Sequence, residues 1–188
     1  MIINTLVKQQ KRKMRKKINS YNIELKDKNF TKEDDEIINK VLNSTEYKKC
    51  KMILIYYPLN NEVNTIALIN QSIKDNKIVA LPKIIDGKMN FIRLDNDWIN
   101  NLNVNKYEIS EPKSNEGLTV FDDCLMIVPN LALAKDKTRL GHGKGYYDKF
   151  LSNKKDIVKM GICRKHVLFD SLPTDGEDVL LDFVISSN

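Results

Sequence analysis

The chain has 188 residues, 41% of them hydrophobic, 30% charged and 7% aromatic. That length suits one compact domain whose core needs no disulfide or metal staple, and repeated Ile, Leu and Val runs exclude a disordered chain. No apolar stretch nears the roughly 20 residues that span a bilayer. The formal net charge of +6 is concentrated, because Lys8, Lys11, Arg12, Lys13, Arg15, Lys16 and Lys17 more than account for it.

The opening segment predicts an amphipathic helix with Val7, Met14, Ile18 and Tyr21 on one stripe. Lys11 and Arg15, four apart, share a face on the shoulder of that stripe, while Lys13 and Lys16 point elsewhere. Charges that follow a short apolar start are the reverse of a secretory leader, so a cytoplasmic location is expected. A second helix is expected from Thr31, with Thr31-x-x-Asp34 as a capping box and Ile37, Ile38, Val41 and Leu42 facing inward.

From residue 52 the pattern changes. Residues 52–57 (MILIYY) form a continuous apolar run of strand length, and a helix is expected over 62–74. Further strands are expected at 77–82, 88–94, 124–129, 156–163 and 178–186, with a helix over 145–151. Strands that are apolar on both faces and separated by helices predict an α/β fold. Its mostly parallel sheet would be covered by helices on both faces, a Rossmann-like three-layer arrangement in one domain over 1–188. Residues 95–123 read as one long irregular region flanking a binding site. Cys50, Cys124 and Cys163 lie far apart without a CxxC pair, which excludes a disulfide framework and a zinc site and predicts buried thiols.

Three of the seven glycines fall within residues 141–145, in Arg139-Leu-Gly-His-Gly-Lys-Gly-Tyr-Tyr-Asp148. The segment follows a buried strand and opens a helix, which in an open α/β sheet is the carboxyl edge where ligands bind. Alternate glycines can turn backbone N–H groups toward one point and so make an anion nest, with Arg139, Lys144 and His142 adding positive charge. The spacing fits neither GxxxxGK[ST] nor GxGxxG. Asp148, one turn beyond the nest, suits either Mg²⁺ beside phosphates or a helix-dipole charge. Asp182 lies in an otherwise apolar strand, where a carboxylate requires a partner or a metal. Glu62 stands at a strand-to-helix junction, as an N-terminal helix charge or as an acceptor for a ring amide and exocyclic amine. Trp98 and Tyr107 read as packing residues more readily than as stacking surfaces for a ligand.

These residues resemble a known family. RLGHGKGYYD (139–148) is similar to the signature loop of 5-formyltetrahydrofolate cyclo-ligases, also called methenyltetrahydrofolate synthetases. KRKMR (11–15), Glu62-Val-Asn-Thr65, Ala80-Leu-Pro-Lys83, Glu111-Pro112, Val128-Pro129 and Asp178-x-x-x-Asp182 resemble its other blocks in order. Leu133, Lys137 and His166 depart from the pattern; a glycine often stands near Lys137 and a glutamine at His166. The resemblance implies ATP- and Mg²⁺-dependent closure of 5-formyltetrahydrofolate to 5,10-methenyltetrahydrofolate, with release of ADP and phosphate. It implies ATP binding by Lys11, Arg12, Lys13, Met14 and Arg15 and by Arg139, Leu140, Gly141, His142, Gly143, Lys144, Gly145, Tyr146 and Tyr147. The folate would contact Tyr57, Glu62, Tyr107, His142, Gly143, Lys144, Gly145 and Tyr146. Arg139, Lys144 and Tyr146 would be catalytic, and Asp148 and Asp182 would hold Mg²⁺. It further suggests a monomer or weak homodimer acting on small molecules, with no nucleic-acid or membrane partner.

Two rival readings are a nucleic-acid module built on the basic helix and a sugar-phosphate isomerase using the nest without ATP. The first leaves Asp148 and Glu62 unexplained. The second needs neither a second cationic element nor metal carboxylates.

Overall fold

The computed structural model describes residues 2–105 and 109–188, with side chains from Thr5 onward. In chain order the elements are α1 (Ile2–Glu24), α2 (Thr31–Asn43), α3 (Thr45–Lys49), β1 (Met52–Leu54), α4 (Ile66–Lys74), β2 (Ile78–Ile85), β3 (Lys88–Arg93), β4 (Leu102–Val104) and β5 (Ser110–Pro112). They continue with β6 (Cys124–Val128), β7 (Ala132–Ala134), β8 (Arg139–Leu140), α5 (Tyr146–Leu151), β9 (Val158–Cys163), a short 3-10 turn (Lys165–Val167), β10 (Leu168–Phe169) and β11 (Phe183–Ser186).

Six strands form the main sheet in the order β11-β9-β6-β1-β2-β3. All neighbouring pairs are parallel except β2 with β3. The expected parallel α/β architecture is therefore present. Side chains along each strand divide between two cores, as the period-2 geometry of a strand requires. Met52 and Leu54, Ala80, and Met126 and Val128 pack on one face with Ile18 of α1 and Leu151 of α5. Ile53, Val79, Leu81, Leu125 and Ile127 pack on the other with Ile37, Ile38 and Val41 of α2 and Leu68 and Ile69 of α4. A three-stranded sheet, β10-β7-β8, shares the first face with the helices.

Several boundaries differ from those expected. Only Met52–Leu54 of the 52–57 run is strand, and the following helix begins at Ile66 rather than 62. Glu62 is thus a loop residue with no helix dipole behind it. Thr31 caps nothing, because the residue before α2 is Phe30 and makes no side-chain cap; Asn29 Oδ1 instead accepts the Thr31 N–H at 2.8 Å. The 95–123 region is not wholly irregular, since β4 and β5 pair as a hairpin within it.

The strand order positions the site. From β1 the chain moves to β2 on one side and later returns to β6 on the other, so the connections diverge between β1 and β6. That divergence opens a crevice beyond their carboxyl ends. β1 leads there into the 55–65 loop and β6 into the segment carrying the glycines.

Candidate active site

The glycine segment is a hairpin before it is a loop. Arg139 and Leu140 pair antiparallel with β7 and are buried, leaving 141–145 to cross to α5. Gly143 (φ 96°) and Gly145 (φ 68°) adopt left-handed conformations, which L side chains resist. Gly141 is needed for a different reason. A Cβ there would stand 2.6 Å from Nη1 of Arg139.

Arg139 is itself committed. Its Nη2 donates to both carboxylate oxygens of Asp148 at 2.7 Å, and its Nη1 to the Pro129 carbonyl at 3.3 Å. The second guanidinium on the loop comes from α1. Arg15 Nε donates to the Gly141 carbonyl at 2.8 Å, and a Cβ on Gly143 would lie 3.2 Å from Arg15 Cζ. Burial pulls the Arg15 pKa below its ordinary value; Asp178 opposes this, and Arg12 and Arg139 reinforce it. Lys11, one turn earlier on α1, is buried, and its ammonium contacts Asp175 at 2.8 Å and Asp178. Lys13 and Lys16 are exposed, as the shoulder geometry predicts. Arg12 is also exposed, and Met14 packs against the core.

Lys144 and His142 stand exposed on the crown of the loop. Across from them is Glu62, buried to 7% exposure, with Oε2 accepting the Leu59 N–H at 3.0 Å and Oε1 at 3.5 Å from His142 Nε2. Burial, with Glu62 nearby, pushes the phenols of Tyr56 and Tyr147 well above their ordinary range. Tyr146, the first residue of α5, is half-buried. Tyr57 is half-buried and packs edge-on against the buried Trp98 at 6.3 Å. Tyr107 lies outside the described residues. Because α5 has only six residues, its dipole is small, and charge at this loop comes from side chains rather than from the helix.

The two acids expected to form a metal pair have different partners. Asp182 precedes β11 rather than lying within it, and its Oδ2 accepts the Lys159 N–H at 2.7 Å and meets Lys159 Nζ at 2.8 Å. The Phe183–Met160 and Met160–Ile127 registers set it about level with Met126, halfway along β6. The residue beside Asp148 is instead Asp178, whose neighbour Val179 donates its N–H to Asp148 Oδ1 at 3.2 Å. Among the described residues, no three His, Cys, Asp or Glu side chains form a metal cage.

Comparison with known proteins decides the lineage. The family model for 5-formyltetrahydrofolate cyclo-ligases matches residues 7–187. The chain belongs to the 5-formyltetrahydrofolate cyclo-ligase family. It is 31% identical to a probable 5-formyltetrahydrofolate cyclo-ligase of Schizosaccharomyces pombe over 94% of each chain, and 29% identical to the mouse enzyme over 79% of each. The NMR structure of Aquifex aeolicus 5,10-methenyltetrahydrofolate synthetase superposes with a TM-score of 0.78 at 28% identity, covering 94% of this chain and 89% of that one. The Mycoplasma pneumoniae 5,10-methenyltetrahydrofolate synthetase shares the fold, with a TM-score of 0.70 at 24% identity over 95% of this chain and 99% of that one.

The departures from the family pattern now have physical accounts. Lys137 holds a left-handed φ of 70°, the conformation that glycine ordinarily supplies. Leu133 is buried against Gly161, where a Cβ would come within 2.8 Å of its Cδ1. His166 stacks on Phe30 at 5.4 Å, and burial lowers its pKa. Two participants escape a reading of the sequence alone: Asp175, which faces Lys11, and Arg164, which reaches the Glu62 loop. Asp175 sits in Asp-Gly-Glu-Asp, a turn-like acidic cluster that signals its own hydrogen bonds before it signals a site.

Proposed function

We propose that this chain converts 5-formyltetrahydrofolate and ATP to 5,10-methenyltetrahydrofolate, ADP and phosphate, with Mg²⁺. The substrate assignment follows from family membership and from the names carried by the relatives. One observation carries the ATP assignment: α1 and the glycine loop, 126 residues apart, meet through Arg15 and Gly141. That contact brings the Arg15 guanidinium onto the loop that carries the exposed Lys144, while Arg139 and Lys11 are held by Asp148 and by Asp175 and Asp178.

In this reading Lys144 and Arg15 meet the polyphosphate, while Arg139 holds Asp148 and the loop in register. Lys11 is poised by Asp175 and Asp178. Glu62 accepts hydrogen bonds from the pterin, and Tyr57 lines its ring. Asp148 and Asp178, with 19% and 20% of their side chains exposed, would take up Mg²⁺ by exchanging contacts with Arg139 and Lys11, since that ion keeps most of its waters and takes one or two carboxylates. The ion would neutralise charge on the transferring phosphoryl group. Phosphorylation of the formyl oxygen turns a poor leaving group into a good one, and N10 of the same molecule then closes on the formyl carbon. With both reactants in one molecule, the protein contributes positioning and charge neutralisation and needs no covalent nucleophile.

Purified protein given MgATP and 5-formyltetrahydrofolate should develop the near-ultraviolet absorbance of the methenyl product, with one ADP per ring closed. Omission of either ATP or Mg²⁺ should abolish it. Turnover without nucleotide would defeat the ligase reading.

A further inference from the structure

Arg164 stands just beyond the carboxyl end of β9, and Asp34 lies in the first turn of α2, 130 residues away in the chain. Both are 6% exposed. Arg164 Nε donates to Asp34 Oδ1 at 2.8 Å and Nη2 to Oδ2 at 2.9 Å. The same guanidinium reaches the 58–65 loop: Nη2 donates to the Glu62 carbonyl at 2.6 Å and Nη1 to the Asn61 carbonyl at 3.4 Å. Asp34 Oδ2 completes the clamp by accepting the Asn64 N–H at 3.1 Å. The Phe30 ring lies 4.2 Å from the guanidinium carbon and closes one side.

A buried ion pair of this kind is weak evidence for stability, since desolvation offsets much of its attraction. Its geometry is more informative. Three of the five hydrogen bonds end on the backbone of residues 61–64, a stretch outside helix and strand that carries the buried Glu62 carboxylate. Without them the Glu62 carbonyl, in a buried residue, would lose its partner, and the half-buried Asn61 carbonyl would lose its own. Lysine cannot substitute, because a point charge does not span a carboxylate and two carbonyls in one plane.

We infer that Arg164, with Asp34, is a positioning residue for folate recognition, fixing the 61–64 turn so that the Glu62 carboxylate faces the ligand. The inference rests on the proposed pterin role of Glu62. Arg164 touches no reacting atom in this assignment and acts only through the turn.

The test compares KM for 5-formyltetrahydrofolate and KM for ATP in Arg164→Lys, Glu62→Gln and the double variant, with thermal melts to establish folding. Arg164→Lys should raise the folate KM about tenfold, as expected for misplacement of a binding group, and leave the ATP KM within about twofold. In the Glu62→Gln background it should add no more than about twofold, because two residues acting through one contact are not additive. A parallel rise in both KM values, or the full factor in the double variant, overturns the inference. If Glu62→Gln raises the folate KM and Arg164→Lys does not, the inference fails while the reading of Glu62 stands. An unchanged folate KM in Glu62→Gln removes that reading and the inference together. Asp34→Asn keeps an oxygen for the Asn64 N–H but loses the charge, and it carries the same comparison should Arg164→Lys not fold.

Discussion

Two loops, one after β1 and one after β8, face each other across this site, and they are built in opposite ways. The 141–145 loop is shaped chiefly by short-range means, glycines at alternate positions with Arg139 pressed against the first of them, and Arg15 of α1 adds a contact from outside. The 58–65 loop has no such spacing and is held from outside, by Asp34 and Arg164. The first construction leaves its crown exposed, with His142 and Lys144 at the surface. The second buries the Glu62 carboxylate and ties it to the Leu59 N–H. An exposed crown bearing Lys144 suits phosphate, whose charge is spread over several oxygens. A fixed carboxylate suits a heteroaromatic edge, which must be met at set angles. Under the proposed function the two loops divide the chemistry as well as the architecture.

The most damaging change should fall on the short-range loop. Gly141→Ala places a methyl 2.6 Å from a guanidinium already bound to Asp148, so Arg139 must leave its partner or the loop must shift. We expect kcat/KM for ATP to fall by about a hundredfold or more, the scale of a catalytic group displaced by roughly 1 Å. The added bulk should also lower stability by about 1–3 kcal/mol. Steady-state kinetics and a thermal melt check both. A fully active, equally stable variant would show that the Arg139–Gly141 contact is not needed.

A middle-sized effect should separate the buried from the exposed cations of α1. Arg15→Ala or Lys11→Ala should raise the KM for ATP about ten- to a hundredfold, corresponding to loss of one hydrogen bond to a charged group. Lys13→Ala and Lys16→Ala, on the exposed side of the helix, should do little. Four equal losses would reduce the helix to a source of summed charge. A steep salt dependence of nucleic-acid binding would then favour the nucleic-acid reading.

The smallest effect concerns the acidic turn that faces Lys11. The Lys11 ammonium holds the Asp175 carboxyl below its ordinary pKa. The unfolded chain, with a carboxyl near pKa 3.9, therefore binds more protons than the folded one in the acid range. Stability from this contact is fully present above the unfolded pKa and is lost as pH falls through the folded value. Asp175→Asn should flatten the acid limb of a Tm-versus-pH curve below about pH 4 and leave its slope at neutrality unchanged. An acid limb identical to that of the parent would remove the Lys11–Asp175 contact from the account.

What the amino-acid order determines by itself is what nearest neighbours and short periods determine. The apolar runs placed the parallel strands, the α1 stripe put Lys11 and Arg15 on one face, and the glycine spacing marked the 141–145 loop before α5. Each depends on residues within one or two helical turns, where backbone geometry alone sets the relation. Tertiary structure decided the rest. Asp34 reads locally as a helix cap, yet its carboxylate is taken by Arg164. Glu62 reads as the start of a helix, yet α4 begins four residues later and the acid is buried in a loop. Asp182 and Asp178 are indistinguishable as acids near a strand, and only the packing of 179 against Asp148 and of 182 against Lys159 assigns them to different neighbourhoods. A buried carboxylate must find a partner wherever the fold supplies one, and here the partner of Asp34 lies 130 residues away. No local pattern encodes such a pairing, because its energy exists only after the elements that carry the two charges have docked.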